Sequence, residues 1–276
     1  METILGKFSG FCPGAKRAWN LVRKEVRKKE NPVYIFGELI HNKQATQQLK
    51  KWGVKTITNL EKIERGGTVV IRTHGEPPET YQKLKKLKLR IIDTTCPRVV
   101  QVQKLASKLE EKGFEVIICG EKDHPETKAT IGYTQKGRVI SSIEEVKRIL
   151  WGKKIGVLSQ TTFSTPLFKE ICQVLKKKAR KFKSLETICN FTRLAQKEAI
   201  RLAKMVDAII VVGGRQSSNT KRLAELTRKV VPTYHIETEK EIKKKWLNGV
   251  KKVGLLAGAS TPEWVIKKVK KRLEEF

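Results

Sequence analysis

The sequence lacks several features that define common classes of protein. No stretch reaches the roughly 18 to 20 uninterrupted apolar residues that a membrane-spanning helix needs. The N-terminal segment METILGKFSGFCPG does not show the basic region and apolar run of a signal peptide. The five cysteines are an odd number, widely scattered and without a Cys-x-x-Cys pair, which argues against a secreted disulfide framework and against a zinc finger. We therefore expect a cytoplasmic chain with no membrane partner, whose thiols serve as ligands, nucleophiles or core residues.

Acidic residues are scarce, with 28 Asp and Glu against 59 Lys and Arg, for a net charge of +31. Such a charge attracts anionic partners over long distances. Nucleic acid is one candidate, but the chain has no recognisable nucleic-acid-binding motif and no aromatic stacking stripe, so we consider it unlikely. The basic residues recur in amphipathic runs, 175–183, 240–252 and 267–272, which are typical of solvated helix faces. A lysine-rich helical surface is our interpretation, and an acidic protein partner remains an alternative.

One pattern occurs three times along the chain. Each copy begins at a cysteine and continues through an amphipathic segment, a short apolar strand and a polar loop. The offset from the cysteine to the first polar loop residue is 29, 28 and 28 residues (12 to 41, 96 to 124 and 189 to 217). The cysteines are Cys12, Cys96 and Cys189, the amphipathic segments are 16–28, 99–112 and 193–206, and the strands are 33–36, 116–118 and 208–212.

Each copy also has a second apolar strand, at 69–72, 155–158 or 253–256, that ends in a polar loop. Short β-branched runs between helical patterns are typical of parallel strands buried on both faces. We predict an α/β fold of three small lobes with parallel sheets around a pseudo-threefold axis, a trefoil with a central cavity. The predicted lobes are 13–96, 97–188 and 189–276, with residues 1–12 packing on the third. The alternative is three unrelated βα units in one doubly wound sheet.

The three repeated cysteines each precede a predicted helix, where the exposed N–H groups and the helix dipole favour a thiolate. Because the carboxyl ends of parallel strands gather at a ligand-binding edge, the three thiols could meet in the central cavity. Three thiolates on a [4Fe-4S] cubane leave its fourth iron open for substrate. We predict one such cluster, bound by Cys12, Cys96 and Cys189. We interpret Cys119, at a strand end, and Cys172, in a helical pattern, as small buried hydrophobes.

The polar loops supply hydrogen-bond donors that suit a bound phosphate. Taken singly, each of these residues is more often a loop or cap residue, and the shared position in the repeat is what favours a site. Glu126, two residues after a loop histidine, is the predicted proton source, and Thr161 would orient it or a substrate hydroxyl. The alternative for Glu126 is a solvated surface acid. The candidate donors are two or three of the loop histidines His41, His74 and His124, together with Ser217, Ser218, Asn219 and Ser260.

Nine short segments resemble those of the 4-hydroxy-3-methylbut-2-enyl diphosphate reductase family, also known as IspH or LytB. The resemblance runs nearly end to end, and its specificity comes from the nine motifs together. The segments are GFCPG (10–14), GELIHN (37–42), RTHG (72–75), DTTCP (93–97), HPE (124–126), SQTT (159–162), TIC (187–189), SSN (217–219) and GASTP (258–262).

The resemblance implies a reductive dehydroxylation, the last step of the methylerythritol phosphate route to isoprenoids. Two electrons and protons would convert (E)-4-hydroxy-3-methylbut-2-enyl diphosphate into isopentenyl and dimethylallyl diphosphates. Reduced ferredoxin or flavodoxin would supply the electrons. By position, the three cysteines would hold the [4Fe-4S] cluster, and Glu126, Thr161 and His124 would form the catalytic set. His41, His74, His124, Thr161, Ser217, Ser218, Asn219 and Ser260 would bind the substrate.

Two segments depart from the family pattern. After Cys189 the family is closer to Ala-Thr-x-x-Arg-Gln, whereas this chain has FTRLAQ at 191–196. The loop at 74–78 is more acidic and stiffer, which we expect to affect gating of the cavity. The nearest alternative enzyme resembles quinolinate synthase, another three-cysteine [4Fe-4S] protein, whose reaction takes no external electrons. The serine-rich loops and the histidines favour the diphosphate.

Overall fold

A computed structural model describes residues 1–64, 66–148 and 154–276. The strands are β1 (Glu2–Leu5), β2 (Val33–Phe36), β3 (Lys55–Ile57), β4 (Thr68–Ile71), β5 (Arg90–Asp93), β6 (Glu115–Cys119), β7 (Arg138–Ile140), β8 (Lys154–Ser159), β9 (Lys181–Ser184), β10 (Ala208–Val212), β11 (Thr233–Ile236) and β12 (Lys252–Ala257). The α-helices are α1 (Pro13–Lys28), α2 (Lys43–Lys51), α3 (Pro78–Lys86), α4 (Pro97–Glu111), α5 (Pro125–Ile131), α6 (Ile143–Arg148), α7 (Thr165–Lys178), α8 (Asn190–Ala203), α9 (Ser218–Arg228) and α10 (Glu263–Glu274). Over these three ranges, none of the helices has the length and apolar character to cross a membrane.

The strands form three four-stranded sheets with one shared topology. Their orders are β3-β2-β4-β5, β7-β6-β8-β9 and β11-β10-β12-β1. In each sheet the first and third strands of the repeat are parallel neighbours at the centre: β2 with β4, β6 with β8 and β10 with β12. The third sheet takes its last strand from the N-terminus, since β1 pairs with β12 in parallel. The predicted three-sheet α/β fold is confirmed, and the single doubly wound sheet is wrong.

The central strands form because their residues are apolar on both faces. Strands β4 and β10 are buried throughout, and β12 is buried after its first residue. Helices cover both faces of such a sheet, which is why the strands carry no polar alternation. On one face of β10 and β12 the apolar residues pack with α8 and α9, and on the other face with α10. The core therefore fixes the two central strands of each sheet, and the loops that follow them carry the predicted site residues.

Two of the amphipathic runs are not continuous helices. Residues 240–252 contain two short 3₁₀ helices, Glu239–Glu241 and Lys244–Trp246, where we predicted a helix face. The run at 175–183 is shared between the last turn of α7 and the edge strand β9. Lysine-rich edge strands and loops give the same alternation of charge and apolarity as a helix surface, so the pattern alone did not separate them. The run at 267–272 does lie in α10.

The chain divides into two compact units. The first comprises residues 1–20, 38–55 and 190–276, and it contains the sheet β11-β10-β12-β1. The second comprises residues 21–37 and 56–189, and it contains the sheet β7-β6-β8-β9 and, apart from Lys55, the sheet β3-β2-β4-β5. The threefold axis and the predicted lobes 13–96, 97–188 and 189–276 stay predictions.

Candidate functional site

The three repeated cysteines are held by the same backbone hydrogen bond. In each case the cysteine N–H donates to the carbonyl of the second residue after the third strand of its repeat: Cys12 to Ala259 (3.0 Å), Cys96 to Thr73 (2.9 Å) and Cys189 to Thr161 (2.9 Å). Each cysteine also directly precedes a helix, which is α1, α4 or α8. The predicted equivalence of the three positions is therefore present in the backbone geometry.

Backbone N–H groups lie close to the sulfur atoms of two of these cysteines. The N–H of Ala15 donates to Sγ of Cys12 at 3.4 Å. Backbone N–H groups of Arg98 and Val99 lower the pKa of the Cys96 thiol, but burial outweighs them and raises it overall. The charges of Glu126 and Cys189 raise it further, so these two groups lie near Cys96 within the second unit. A cation bound to the sulfur would offset this penalty and favour the thiolate.

The other two cysteines lie in hydrophobic cores. Cys119 ends β6 and is fully buried, as predicted, and burial raises its pKa well above the usual value for a thiol. Cys172 lies in α7, where it is half-buried and packs against the same core as Cys119. Burial still raises the pKa of Cys172 to about 11. Both thiols stay protonated at neutral pH, which suits packing rather than metal binding.

The first polar loop of each repeat ends by capping a helix. Asn42 caps α2 by accepting the N–H of Ala45, and Ser217 caps α9 by accepting the N–H of Thr220. His124 caps α5, because its Nδ1 accepts the N–H of Glu126 at 3.1 Å. Since Nδ1 is the acceptor, the neutral His124 ring carries its proton on Nε2. Capping thus fixes the ring orientation and tautomer of one predicted site residue.

Glu126 is the acid that the sequence singled out, and it is buried at 3% exposure. The N–H of Thr161 donates to Oε1 at 2.6 Å, and the Thr161 hydroxyl donates to Oε2 at 2.8 Å. Burial raises the pKa of Glu126 above its ordinary value, while the two bonds from Thr161 oppose the shift. The alternative of a solvated surface acid is wrong. The predicted partnership of Glu126 with Thr161 is present.

Two predicted histidines are in ring contact in the second unit. The rings of His74 and His124 meet edge to face, with centroids 5.1 Å apart and an interplanar angle of 89°. His124 is buried and His74 is half-buried. Cys96, Cys189, Glu126, Thr161 and both rings therefore belong to one compact unit.

In the first unit, the start of α9 presents polar groups that have no protein partner. Ser218 Oγ and both amide atoms of Asn219 are buried, at 7% and 3% residue exposure, and they make no hydrogen bond to any described residue. Leaving such groups unpaired costs about 1–3 kcal/mol each, so a ligand or ordered water is expected there. Ser260 differs, because its hydroxyl donates to the backbone carbonyl of His41 at 3.1 Å.

The two segments that depart from the family pattern are well packed. In the loop at 74–78, Glu76 is buried and forms an ion pair with Arg72 at 2.6 Å, and burial raises the pKa of its carboxyl. The acid therefore does not add an exposed charge to the loop. After Cys189, Thr192 and Gln196 are buried in α8, and the Arg193 side chain donates to Asn190 at 3.1 Å.

Sequence reasoning did not find the residues that hold the loop before α9. His235 Nε2 donates to the carbonyl of Gly213 at 2.9 Å, and Glu237 accepts the N–H of Arg215 at 3.0 Å. Both lie at the end of β11, an edge strand that the apolar pattern did not reveal. The alternation of His235 and Glu237 about Ile236 was the available signal, since i and i+2 share one face of a strand.

Comparison with known proteins shows the family of the chain. The model of the LytB protein family matches residues 3–274. The chain belongs to the LytB family. The family predicted from the nine sequence segments is thereby confirmed.

Relatives of known name match the chain over nearly its full length. The 4-hydroxy-3-methylbut-2-enyl diphosphate reductase of Aquifex aeolicus is 40% identical over 100% of this chain and 97% of that protein. The reductase of the same name from Geobacter metallireducens is 41% identical over 100% of this chain and 98% of that protein. A solved structure of (E)-4-hydroxy-3-methyl-but-2-enyl diphosphate reductase, described as the terminal enzyme of the non-mevalonate pathway, is 39% identical with a TM-score of 0.75 and full coverage of both chains. The Plasmodium falciparum reductase structure is 28% identical with a TM-score of 0.93, covering 98% of this chain and 87% of that one.

Proposed function

We propose that this chain is a 4-hydroxy-3-methylbut-2-enyl diphosphate reductase. The observation that carries the proposal is the threefold recurrence of a cysteine before a helix, each bonded through its N–H to the loop after a central strand. The named relatives match over the whole chain, which supports the same reaction here. In that reaction the allylic C–O bond breaks, the hydroxyl leaves as water, and a proton adds to carbon. Two electrons enter from an external donor, and the products are isopentenyl and dimethylallyl diphosphates.

The diphosphate is proposed to bind at the polar loops. Ser218 and Asn219 support this assignment, because their buried side-chain groups have no partner in the described part of the chain and sit in the first turn of α9. The free N–H groups of a helix N-terminus add favourable partial positive charge for an anion. His41, His74, His124, Ser217 and Ser260 complete the proposed set, with Thr161 at the hydroxyl end of the substrate.

Glu126 is proposed to deliver the proton. Burial raises the pKa of its carboxyl, so it holds its proton to higher pH than an exposed glutamate and can act as a general acid. Thr161 holds both carboxyl oxygens in place through its N–H and hydroxyl. The capping bond fixes the ring of His124 with its proton on Nε2. These three residues then orient the substrate hydroxyl and supply the proton that converts it to water.

The proposed cofactor is one [4Fe-4S] cluster per chain, held by Cys12, Cys96 and Cys189. The donor set fits it, because each of these thiols is half-buried at a helix N-terminus while Cys119 and Cys172 pack in cores. When bound, such a cluster supplies electrons and an iron without a protein ligand that acts as a Lewis acid. The chain's own role is to hold the thiols, fix the diphosphate and keep the proton source beside the reacting hydroxyl.

An acidic ferredoxin or flavodoxin is the proposed electron donor. The +31 charge supports this choice, because a basic surface accelerates the encounter with an acidic protein.

Anaerobic turnover tests the function directly. The reconstituted protein should consume reductant only when 4-hydroxy-3-methylbut-2-enyl diphosphate is present, with two electrons used per product molecule. Iron and sulfide analysis together with visible and electron-spin spectroscopy should report about four of each per chain. No consumption of reductant by cluster-loaded protein would eliminate the reductase. A matched control uses the same protein with inorganic pyrophosphate in place of the substrate.

A further inference from the structure

The end of strand β11 contacts one loop that the proposed function assigns to the diphosphate, and the first residue of the helix that follows a second such loop. One loop, residues 213–219, leads into α9 and carries Ser217, Ser218 and Asn219. The other, residues 38–42, leads into α2 and carries His41. Both belong to the first compact unit, as does β11. The contacts come from residues to which the proposed mechanism gives no role.

Three hydrogen bonds fix the beginning of the α9 loop on β11. The N–H of Gly213 donates to the carbonyl of Ile236 at 2.9 Å, and the carbonyl of Gly213 accepts from His235 Nε2, also at 2.9 Å. The N–H of Arg215 donates to Glu237 Oε1 at 3.0 Å. The loop backbone is thus held at two successive points before it reaches Ser217.

The second oxygen of Glu237 reaches the helix that directly follows the other loop. Lys43, the first residue of α2, places Nζ 3.0 Å from Glu237 Oε2. The carboxylate is largely buried, and charge neutralisation by Lys43 lowers the cost of keeping it ionised there. Bonds from Arg215 and Lys43 also hold the pKa of Glu237 below its ordinary value.

The two loops are in direct backbone contact beside Glu237. A Cβ added to Gly214 would lie 2.3 Å from the carbonyl oxygen of His41, so no other residue fits there without moving the backbone. The same carbonyl accepts the Ser260 hydroxyl. A small shift of Gly214 therefore changes the separation between His41 and the donors at the start of α9.

We propose that Glu237 is a positioning residue for the diphosphate, joining the α9 loop through Arg215 N–H and the α2 loop through Lys43. By fixing both loops at once, it holds the donors on residues 217–219 at the spacing from His41 that a diphosphate requires. The inference rests on the proposed diphosphate site, and it adds a residue to that site which makes no contact with the substrate.

Glu237→Ala tests the proposal in the cluster-loaded protein. We expect KM for the hydroxymethylbutenyl diphosphate and Kd for inorganic pyrophosphate to rise about tenfold, the effect of one lost charge-assisted interaction. The value of kcat should stay within about threefold, since no group at the reacting carbon changes. Iron content and Tm report folding, and Glu237→Gln gives a second measurement. Its amide oxygen can still accept from Arg215 N–H while its NH₂ faces Lys43, so an intermediate effect is expected.

Glu225→Gln is the matched control. It removes one negative charge from an exposed acid of helix α9 that is paired with Arg222. Its pyrophosphate affinity should equal that of the wild type. The double variant Glu237→Ala with Asn219→Ala should lose less affinity than the product of the two single losses, because both act through one loop. Multiplicative losses in the double variant, or a loss in Glu225→Gln equal to that in Glu237→Ala, would overturn the proposal.

Wild-type protein that neither binds pyrophosphate nor turns over substrate would refute the proposed function and this inference with it. Wild-type binding that Glu237→Ala leaves unchanged would refute the inference alone.

Discussion

Replacement of Glu126 by glutamine removes the proposed proton source with little change in shape. Thr161 N–H can still donate to the amide oxygen in place of Oε1. The Thr161 hydroxyl, which donates to Oε2 in the wild type, can rotate and accept from the amide NH₂. The buried side chain thus keeps both partners, and we expect the variant to fold and to bind its cluster.

The expected loss is in kcat. Positioned general acids contribute about 10²- to 10⁴-fold, or roughly 3 to 5.5 kcal/mol of activation free energy. Since the diphosphate donors are unchanged, KM should move by less than about threefold. The assay is single-turnover reduction under anaerobic conditions, with the cluster spectrum followed in parallel. A kcat within tenfold of the wild type, at full iron content, would refute the role of Glu126.

The pH dependence gives an independent test of the same residue. Burial raises the pKa of Glu126 above the unfolded value of about 4.3. The wild-type rate should therefore fall as pH rises through this raised pKa. This fall in rate should be absent in Glu126→Gln. Between the two pKa values the folded state binds more protons than the unfolded state, so the contribution of Glu126 to the free energy of unfolding falls as pH rises. Denaturant titrations of both proteins across that window measure the difference.

Three further predictions follow from the site. Asn219→Ala should raise KM by about 10- to 100-fold, as expected for lost hydrogen bonds to a charged group, without lowering Tm, because the buried amide has no partner among the described residues; a thermal melt and a KM measurement check both. Cys96→Ser should abolish the four-iron spectrum while Cys172→Ser retains it, and equal iron content in the two variants would contradict the assignment of ligands. With an acidic ferredoxin as donor, kcat/KM for the donor should fall steeply between 0.05 and about 0.5 M salt, whereas a small uncharged reductant should show no such fall.

The six strands that the sequence predicted are the two central strands of each sheet. β2 and β10 have the predicted bounds. Each end of β4, β6, β8 and β12 differs from the predicted end by one residue. Their β-branched residues are buried on both faces, which produces an uninterrupted apolar run. The edge strands were not predicted, because Lys55–Ile57 and Lys181–Ser184 are short, rich in lysine and partly exposed. A strand that buries one face over three or four residues leaves too few positions for an alternation to be recognised.

Some residues of the candidate site could also be predicted from the sequence, and others could not. Residues that occupy equivalent positions in the repeat, such as Cys96 and Cys189, could be found from offsets along the chain. Glu126 was found from its neighbour His124. Glu237 could not be found in this way, because its partners Arg215 and Lys43 lie 22 and 194 residues away along the chain and at positions that the repeat does not relate. Long-range contacts of this kind depend on topology, and a local pattern does not encode them.

The recurring backbone bond of the cysteines connects the two halves of the proposed chemistry. The loop residue that accepts from Cys96 is Thr73, which is followed by His74, and the one that accepts from Cys12 is Ala259, which is followed by Ser260. The acceptor for Cys189 is Thr161, whose own N–H and hydroxyl hold Glu126. In every repeat, therefore, a proposed metal ligand is one hydrogen bond away from a loop that carries a proposed substrate-binding or catalytic residue. Because a shift of either partner strains this bond, the thiols and the substrate-binding groups are held in register by the backbone, and side-chain substitutions near the loops should alter substrate affinity before they alter cluster content.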